Sequence, residues 1–578
     1  MMRTNTGRVG ALGLIVGTLV GCSASAAKKG DSDSDGDGRD SGDSVEAPNE
    51  EEAYLSSCEG HDCPSGTREG VREVCEDSKV GARLLRRLTR RELERTLEDI
   101  FPEVVSEWGG VELTQDPVSS LGFSTDAKTL VVNGPTFKNM LETAEGLAEL
   151  VTEPGTLAAL LPCSETGADS ACAEELVNRY GLRLFRRPLS ETEVERYVSY
   201  HQSVAARSDF ATGAKWALSV MMQSPAAFYR SEIGEPSDEG HQLTQYELAT
   251  NLAYTYAGTT PSAELLAKAQ ASELKDSASL EAVASSLLDD EKNWDTSHQF
   301  FREWLGYERV LNQSRAEEPN FAATISPLLV TETQLFLQQI VFSGGTVQDL
   351  MTARFTALDS ELSTFYGFGD VTPEDGFLAV ERPEGRGIGV LAQGSLLAAT
   401  GHQDETSPTL RGLLFTEEFL CIEPPAPPDI VPPLSEAEGI EEAKTTREKY
   451  ELHHATGGCA SCHSVFDPYG FTFEQFDETG RYRENEDGEP IDTSATVRLP
   501  GGEEMSLSNL DSLSSMVQEN DHVENCMSGL LSTYMLSGGG GSNCLAEEAR
   551  SDLASGKISI RDYMVKLAGT PHFSKRGI

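Results

Sequence analysis

Leu243 to Gly258 reads LTQYELATNLAYTYAG. Thr244 stands three residues ahead of Glu247, the spacing at which a hydroxyl and a carboxylate satisfy each other's orphan backbone N–H groups at a helix start. An apolar run at helical spacing follows. The same pair recurs as Thr89 with Glu92 and as Ser190 with Glu193, each opening another periodic run. Strand signals are few by comparison: GFLAVERP (376–383) and IDTSATVRLP (491–500) alone read as short strands. The fold class is therefore mainly α, with multi-helix N-terminal and central domains, a small helical domain after them, and few short strands.

RLLRRLTRRELER, Arg83 to Arg95, has leucines at 84, 85, 88 and 93. That spacing predicts one amphipathic helix with its arginines on the outer face, paired with local carboxylates. EPPAPPDIVPPL, Glu423 to Leu434, reads as an extended polyproline connector. It divides a large helical region, from about Val80 to Leu420, from a smaller C-terminal region.

A chain of 578 residues is too long for one ordinary core. Its N-terminus is an export signal: Arg3 and Arg8 precede the short apolar stretch Ala11 to Val20. Leu19-Val20-Gly21-Cys22 resembles a bacterial lipobox, so residues 1–21 read as a lipoprotein signal peptide and Cys22 as the lipidated mature N-terminus. Ser23 after that cysteine points to an outer-membrane lipoprotein, periplasmic or surface-facing. Residues 22–75 begin with an acidic stretch nearly devoid of apolar side chains and form a solvated tether. Asp31, Asp33 and Asp35 imitate a calcium loop, but Gly42 or Ser44 stands where the closing glutamate belongs. The formal net charge of −48 excludes nucleic acid as a partner class.

Eleven cysteines in an exported chain imply disulfides. Cys163 with Cys172 and Cys526 with Cys544 are the candidate local pairs; the partners of Cys58, Cys63, Cys75 and Cys421 stay open.

GGCASCHSVFDPYGF, Gly457 to Phe471, holds the chemistry. In c-type attachment two thiols spaced as Cys459 and Cys462 bond the porphyrin edge, and the adjacent His463 coordinates iron. A zinc site needs four ligands, for which His453 and His454 are the upstream candidates beside the two cysteines. A structural disulfide between Cys459 and Cys462 is the third reading. Export favours one covalent haem c. Met505, Met516, Met527, Met535, His402, His453 and His454 are candidates for a second axial ligand, and Met505 is the one carried forward. Asp467-Pro468-Tyr469-Gly470 reads as a turn leaving the haem edge. Phe466, Phe471, Phe473 and Phe476 are available to cover the ring, and Arg481 and Arg483 to pair its propionates.

Elsewhere the chain shows no HExxH, Walker A, Rossmann or GxSxG motif. Ala399 to Phe415 concentrates His402, Asp404, Glu405 and Arg411 before a helix opened by Ser407-Pro408. This is either a ligand-facing loop or a capped helix entry with a structural arginine, and the second reading is preferred.

Five stretches then add up: RRLTRRELERTLEDIF (86–101), RLFRRPLSETEVERY (183–197), LTQYELATNLAYTYAGTTPSAELLAKA (243–269), GVLAQGSLLAATGHQDETSPTLRG (389–412) and CASCHSVFDPYGFTFEQFDETGRYR (459–483). In this order they resemble the exported bacterial proteins assembled from domains of unknown function 1587, 1595, 1592, 1588 and 1585. The resemblance divides the chain into 76–175 (1587-like), 176–205 (1595-like), 206–340 (1592-like), 341–500 (1588-like, with CxxCH) and 501–578 (1585-like). It implies a cytochrome-like protein in which Cys459, Cys462 and His463 match the family's haem motif. The functional expectation is an exported c-type haem protein, held at the membrane by its N-terminal lipid, exchanging electrons with a redox partner or extracellular substrate. The alternatives are a non-catalytic binding lipoprotein, for polysaccharide among other ligands, and a zinc-stabilised scaffold.

Overall fold

The computed structural model of the protein describes residues 80–577 apart from 105–106, 111–114, 167, 239, 370–375, 424–439, 455–458, 537–550 and 554. The signal peptide, Cys22, the tether, Cys58, Cys63, Cys75, Cys544 and nearly all of the proline-rich connector lie outside the described residues. What is described is mainly α, with small antiparallel sheets of two or three strands.

The chain enters through strand β1 (Leu84–Arg87) and helix α1 (Arg90–Ile100), followed by α2 (Gly134–Val151), α3 (Ser170–Phe185), α4 (Glu191–Ala205) and α5 (Phe210–Met222). Strands β2 (Tyr229–Glu232) and β3 (Gly240–Gln242) lead into α6 (Gln245–Tyr256), α7 (Trp294–Leu305) and α8 (Ser326–Phe342). The hairpin β4 (Phe355–Leu358) and β5 (Leu378–Glu381) precedes three helices around the CxxCH: α9 (Pro408–Phe419), α10 (Thr446–His454) and α11 (Cys459–Phe471). Strands β6 (Ala495–Arg498) and β7 (Glu504–Leu507), helices α12 (His522–Leu536) and α13 (Ile560–Ala568), and strand β8 (Lys575–Arg576) complete it.

All three capping boxes form. Thr89, Ser190 and Thr244 each accept a hydrogen bond from the N–H three residues on, and Glu92, Glu193 and Glu247 each accept one from the cap's own N–H. Glu247 also accepts from the Ile233 N–H at 2.9 Å and the Ser231 hydroxyl, so the cap of α6 ties down the end of β2. Both expected strands exist, as β5 and β6.

The basic run is not one helix. Leu84 to Arg87 pairs antiparallel with β2, Leu84 opposite Glu232 and Arg87 opposite Tyr229, and the helix begins only at Arg90. Arg86 and Arg87 are buried rather than facing outward, and Leu85 is 58% exposed. Ion pairs make that burial tolerable: Arg86 meets Glu92 at 3.4 Å and Arg87 meets Asp116 at 2.6 Å. A strand partner far along the chain outweighed the local helical spacing.

Two hydrophobic cores result. Leu93, Leu97, Leu147, Leu176 and Leu218 centre the first, which is drawn almost wholly from residues 88–228. The second joins Leu252, Phe301, Leu337, Leu397, Phe415, Tyr469, Met527 and Tyr563. The segments on either side of the connector therefore share one core instead of forming separate packing units. Phe415 before it and Tyr469 after it lie with ring centroids 5.2 Å apart.

The crossing of α9 and α11 explains this sharing. A Cβ on Gly412 would fall 2.0 Å from the Phe466 carbonyl oxygen, and one on Gly470 would fall 1.8 Å from that of Pro408. The two helices touch backbone to backbone. Helix α11 accordingly runs straight through Asp467-Pro468-Tyr469-Gly470, which the sequence presented as a turn. Tertiary contact at Gly470 and Tyr469 overrides the local preference for ending the helix at the proline.

Cys163 and Cys172 form the expected disulfide. Cys526 pairs with Cys421 instead of Cys544: packing of α12 against α9 brings the Cys421 and Cys526 Cα atoms to 5.5 Å, within bridging reach. At the far end of the chain β8 pairs with β3, and Arg576 forms a buried ion pair with Glu232 of β2.

Candidate functional site

Helix periodicity sets the geometry of the CxxCH. Cys459 and Cys462 lie one turn apart at the start of α11, and Cys459, His463 and Asp467 follow at four-residue intervals along one face. Both thiols are half-buried.

Asp467 organises the site. Its Oδ2 lies 3.1 Å from Nδ1 of His463 and 2.5 Å from Nδ1 of His454, the last residue of α10. Oδ1 accepts the Thr409 hydroxyl of α9 at 2.8 Å. Burial alone would push the Asp467 carboxyl up, but hydrogen bonds from the two imidazoles outweigh it and hold the group below its ordinary value. With Nδ1 of His463 committed to the carboxylate, Nε2 is the nitrogen presented for coordination. Phe466 stands edge-on to His463 with centroids 4.9 Å apart, and Tyr450 stands edge-on to His454.

The second-ligand candidates are placed as follows. His454 stacks on His463 with centroids 3.4 Å apart and planes 22° apart. His453 stands edge-on to His454, and His402 is exposed on the loop before α9. Met505 sits half-buried on β7 against the core; Met516, Met527 and Met535 are core residues. His463 contacts His454, Phe466 and Asp467.

The arginines are held by the chain's own carboxylates. Arg481 meets Glu318 at 2.7 Å and Asp477 at 3.2 Å; Arg483 meets Glu474 at 3.3 Å and Glu486 at 3.4 Å. Of the four phenylalanines, Phe473 and Phe476 fill the core and Phe466 touches His463. Arg411 is wholly buried, donating to the carbonyls of Phe473, Phe476 and Asp477 and pairing with Glu474, which settles its role as structural. Asp467 and its link to His454 are what the sequence reading missed. The available signal was the four-residue interval from His463.

A mainly α protein with a thiol–thiol–imidazole helix start braced by a buried carboxylate is the class these features define. Four family models match in order, each described as a protein of unknown function: DUF1587 over residues 86–153, DUF1595 over 172–232, DUF1592 over 243–368 and DUF1588 over 387–486. They carry the labels PSD3, PSD5, PSD4 and PSCyt3 respectively. The chain belongs to the proteins built from this ordered domain set. The DUF1588 match spans both sides of the connector and contains the CxxCH, in agreement with the shared core. No curated protein and no solved structure matches the chain. Among the described residues no helix is long and apolar enough to cross a membrane.

Proposed function

We propose that the protein is an exported electron-transfer protein carrying one covalent haem c on Cys459 and Cys462, with His463 as the iron ligand. One observation carries the reading: two half-buried thiols and an adjacent imidazole occupy the first turn of one helix, inside a segment whose family label, PSCyt3, hints at a cytochrome-like domain. The donor set fits the group in number, type and order. Haem supplies one-electron chemistry when bound. Asp467 fixes the tautomer and plane of His463, Thr409 fixes Asp467, and Phe466 shields the ring edge.

Export is part of the same proposal, since c-type attachment takes place outside the cytoplasm. Two disulfides among the described residues support an oxidising compartment. The lipobox-like sequence ending at Cys22 supports a membrane anchor. The partner on the other side of the electron exchange is a redox protein or an extracellular substrate.

The test is direct. Full-length protein made with an active haem-attachment pathway should be red, give a c-type pyridine haemochrome, and keep its haem through acid–acetone extraction. The Cys459→Ser/Cys462→Ser variant should lose that retention. A colourless wild-type protein under the same conditions sinks the proposal.

A further inference from the structure

The two histidines do not meet Asp467 separately. Nδ1 of His454 and Nδ1 of His463 both converge on the same oxygen, Oδ2, at 2.5 and 3.1 Å, and the three ligand atoms lie within 4.8 Å of one another. A tetrahedral zinc-class ion with bonds of about 2.1 Å has ligand-to-ligand edges of about 3.4 Å. The two histidine–carboxylate separations are hydrogen bonds shorter than that edge, so an ion among the three donors would replace those bonds and spread the donors by less than about 1 Å.

The surroundings are those of a braced metal site. Side-chain exposure is 10% for His454, 21% for His463 and 6% for Asp467. Thr409 holds the second carboxylate oxygen at 2.8 Å, and Tyr450 and Phe466 wall the two imidazoles. Three elements contribute: His454 ends α10, His463 and Asp467 share a face of α11, and Thr409 belongs to α9. Two imidazoles and one carboxylate select a first-row divalent transition ion over calcium or magnesium, which prefer all-oxygen shells.

We infer that the chain, before haem is attached, binds one zinc-class divalent ion through His454, His463 and Asp467, with solvent at the fourth position. The site differs from the zinc arrangement suggested by sequence, in which His453, His454, Cys459 and Cys462 are the ligands. It shares His463 with the haem reading but does not depend on it.

The full chain, exported in a host without the haem-attachment pathway, should take up one equivalent of Zn²⁺ by calorimetry. Co²⁺ should give the visible bands of a tetrahedral nitrogen–oxygen site. His454→Gln should weaken Zn²⁺ binding more than about tenfold with an unchanged circular dichroism spectrum. Cys459→Ser/Cys462→Ser should bind as the wild type does. Absence of stoichiometric binding overturns the inference, as does full affinity in His454→Gln. A Co²⁺ thiolate charge-transfer band lost in the double cysteine variant overturns it too, by moving the site to the cysteines. Haem content measured with the pathway active decides the electron-transfer reading separately.

Discussion

Asp467 is the residue through which the chain acts on His463. An anionic acceptor on Nδ1 gives the ring partial imidazolate character, which stabilises the oxidised state of a bound iron. Asp467→Asn keeps the size and one hydrogen-bonding oxygen but removes the charge. The variant should retain haem by pyridine haemochrome and show a higher midpoint potential than the wild type in a potentiometric titration at pH 7. Equal potentials at equal haem content would remove Asp467 from this role. The residues of the thiol–imidazole motif were legible because their spacing is local. Asp467 was not, because Asp-Pro-Tyr-Gly carries turn residues and only the contact of α11 with α9 keeps that stretch helical. Arg481 and Arg483 were visible as cations, but their carboxylate partners on separate segments were not.

Among elements, the helices announced by capping boxes were legible because a cap is an exchange between residues three apart. Strand β1 was hidden because its partner, β2, is remote in sequence and nothing in Leu84 to Arg87 marks the pairing. Helix α12 carries a charge-sensitive position. Burial pushes the Glu524 carboxyl up to about 7, and its Oε2 meets no hydrogen-bond partner among the described residues. The folded state thus prefers the neutral acid, whereas the unfolded chain titrates near the ordinary value of 4.5. The resulting stability is fully present below the lower value and is lost as pH rises through the higher one. Glu524→Gln removes the penalty of charging a buried group. It should match the wild type in thermal unfolding at pH 4 and exceed it at pH 8, by on the order of 2 kcal/mol after allowance for partial solvation. A wild type that gains on the variant between those pH values would contradict the assignment.

At the scale of the molecule, the long connector is spanned by packing and by a covalent bond. Sequence order invited a boundary at the prolines, yet Phe415 and Tyr469 share a core and Cys421 is bonded to Cys526. Neither fact is readable from spacing, since both depend on how α9, α11 and α12 meet. The two disulfides then differ in what they restrain. Cys163–Cys172 has a sequence separation of 9, whereas Cys421–Cys526 has one of 105 and encloses the whole CxxCH helix. Loop-closure entropy assigns roughly 2–3 kcal/mol to the first and roughly 4–5 kcal/mol to the second. Cys421→Ser/Cys526→Ser should therefore lower the denaturant midpoint more than Cys163→Ser/Cys172→Ser does. The first substitution should also loosen α9 against α11, because its disulfide ties the end of α9 to α12. Proteolysis between α9 and α10 should then quicken in that variant alone. Equal midpoints and equal cleavage for the two variants would show that the shared core, without the long disulfide, suffices to hold the CxxCH helix in place.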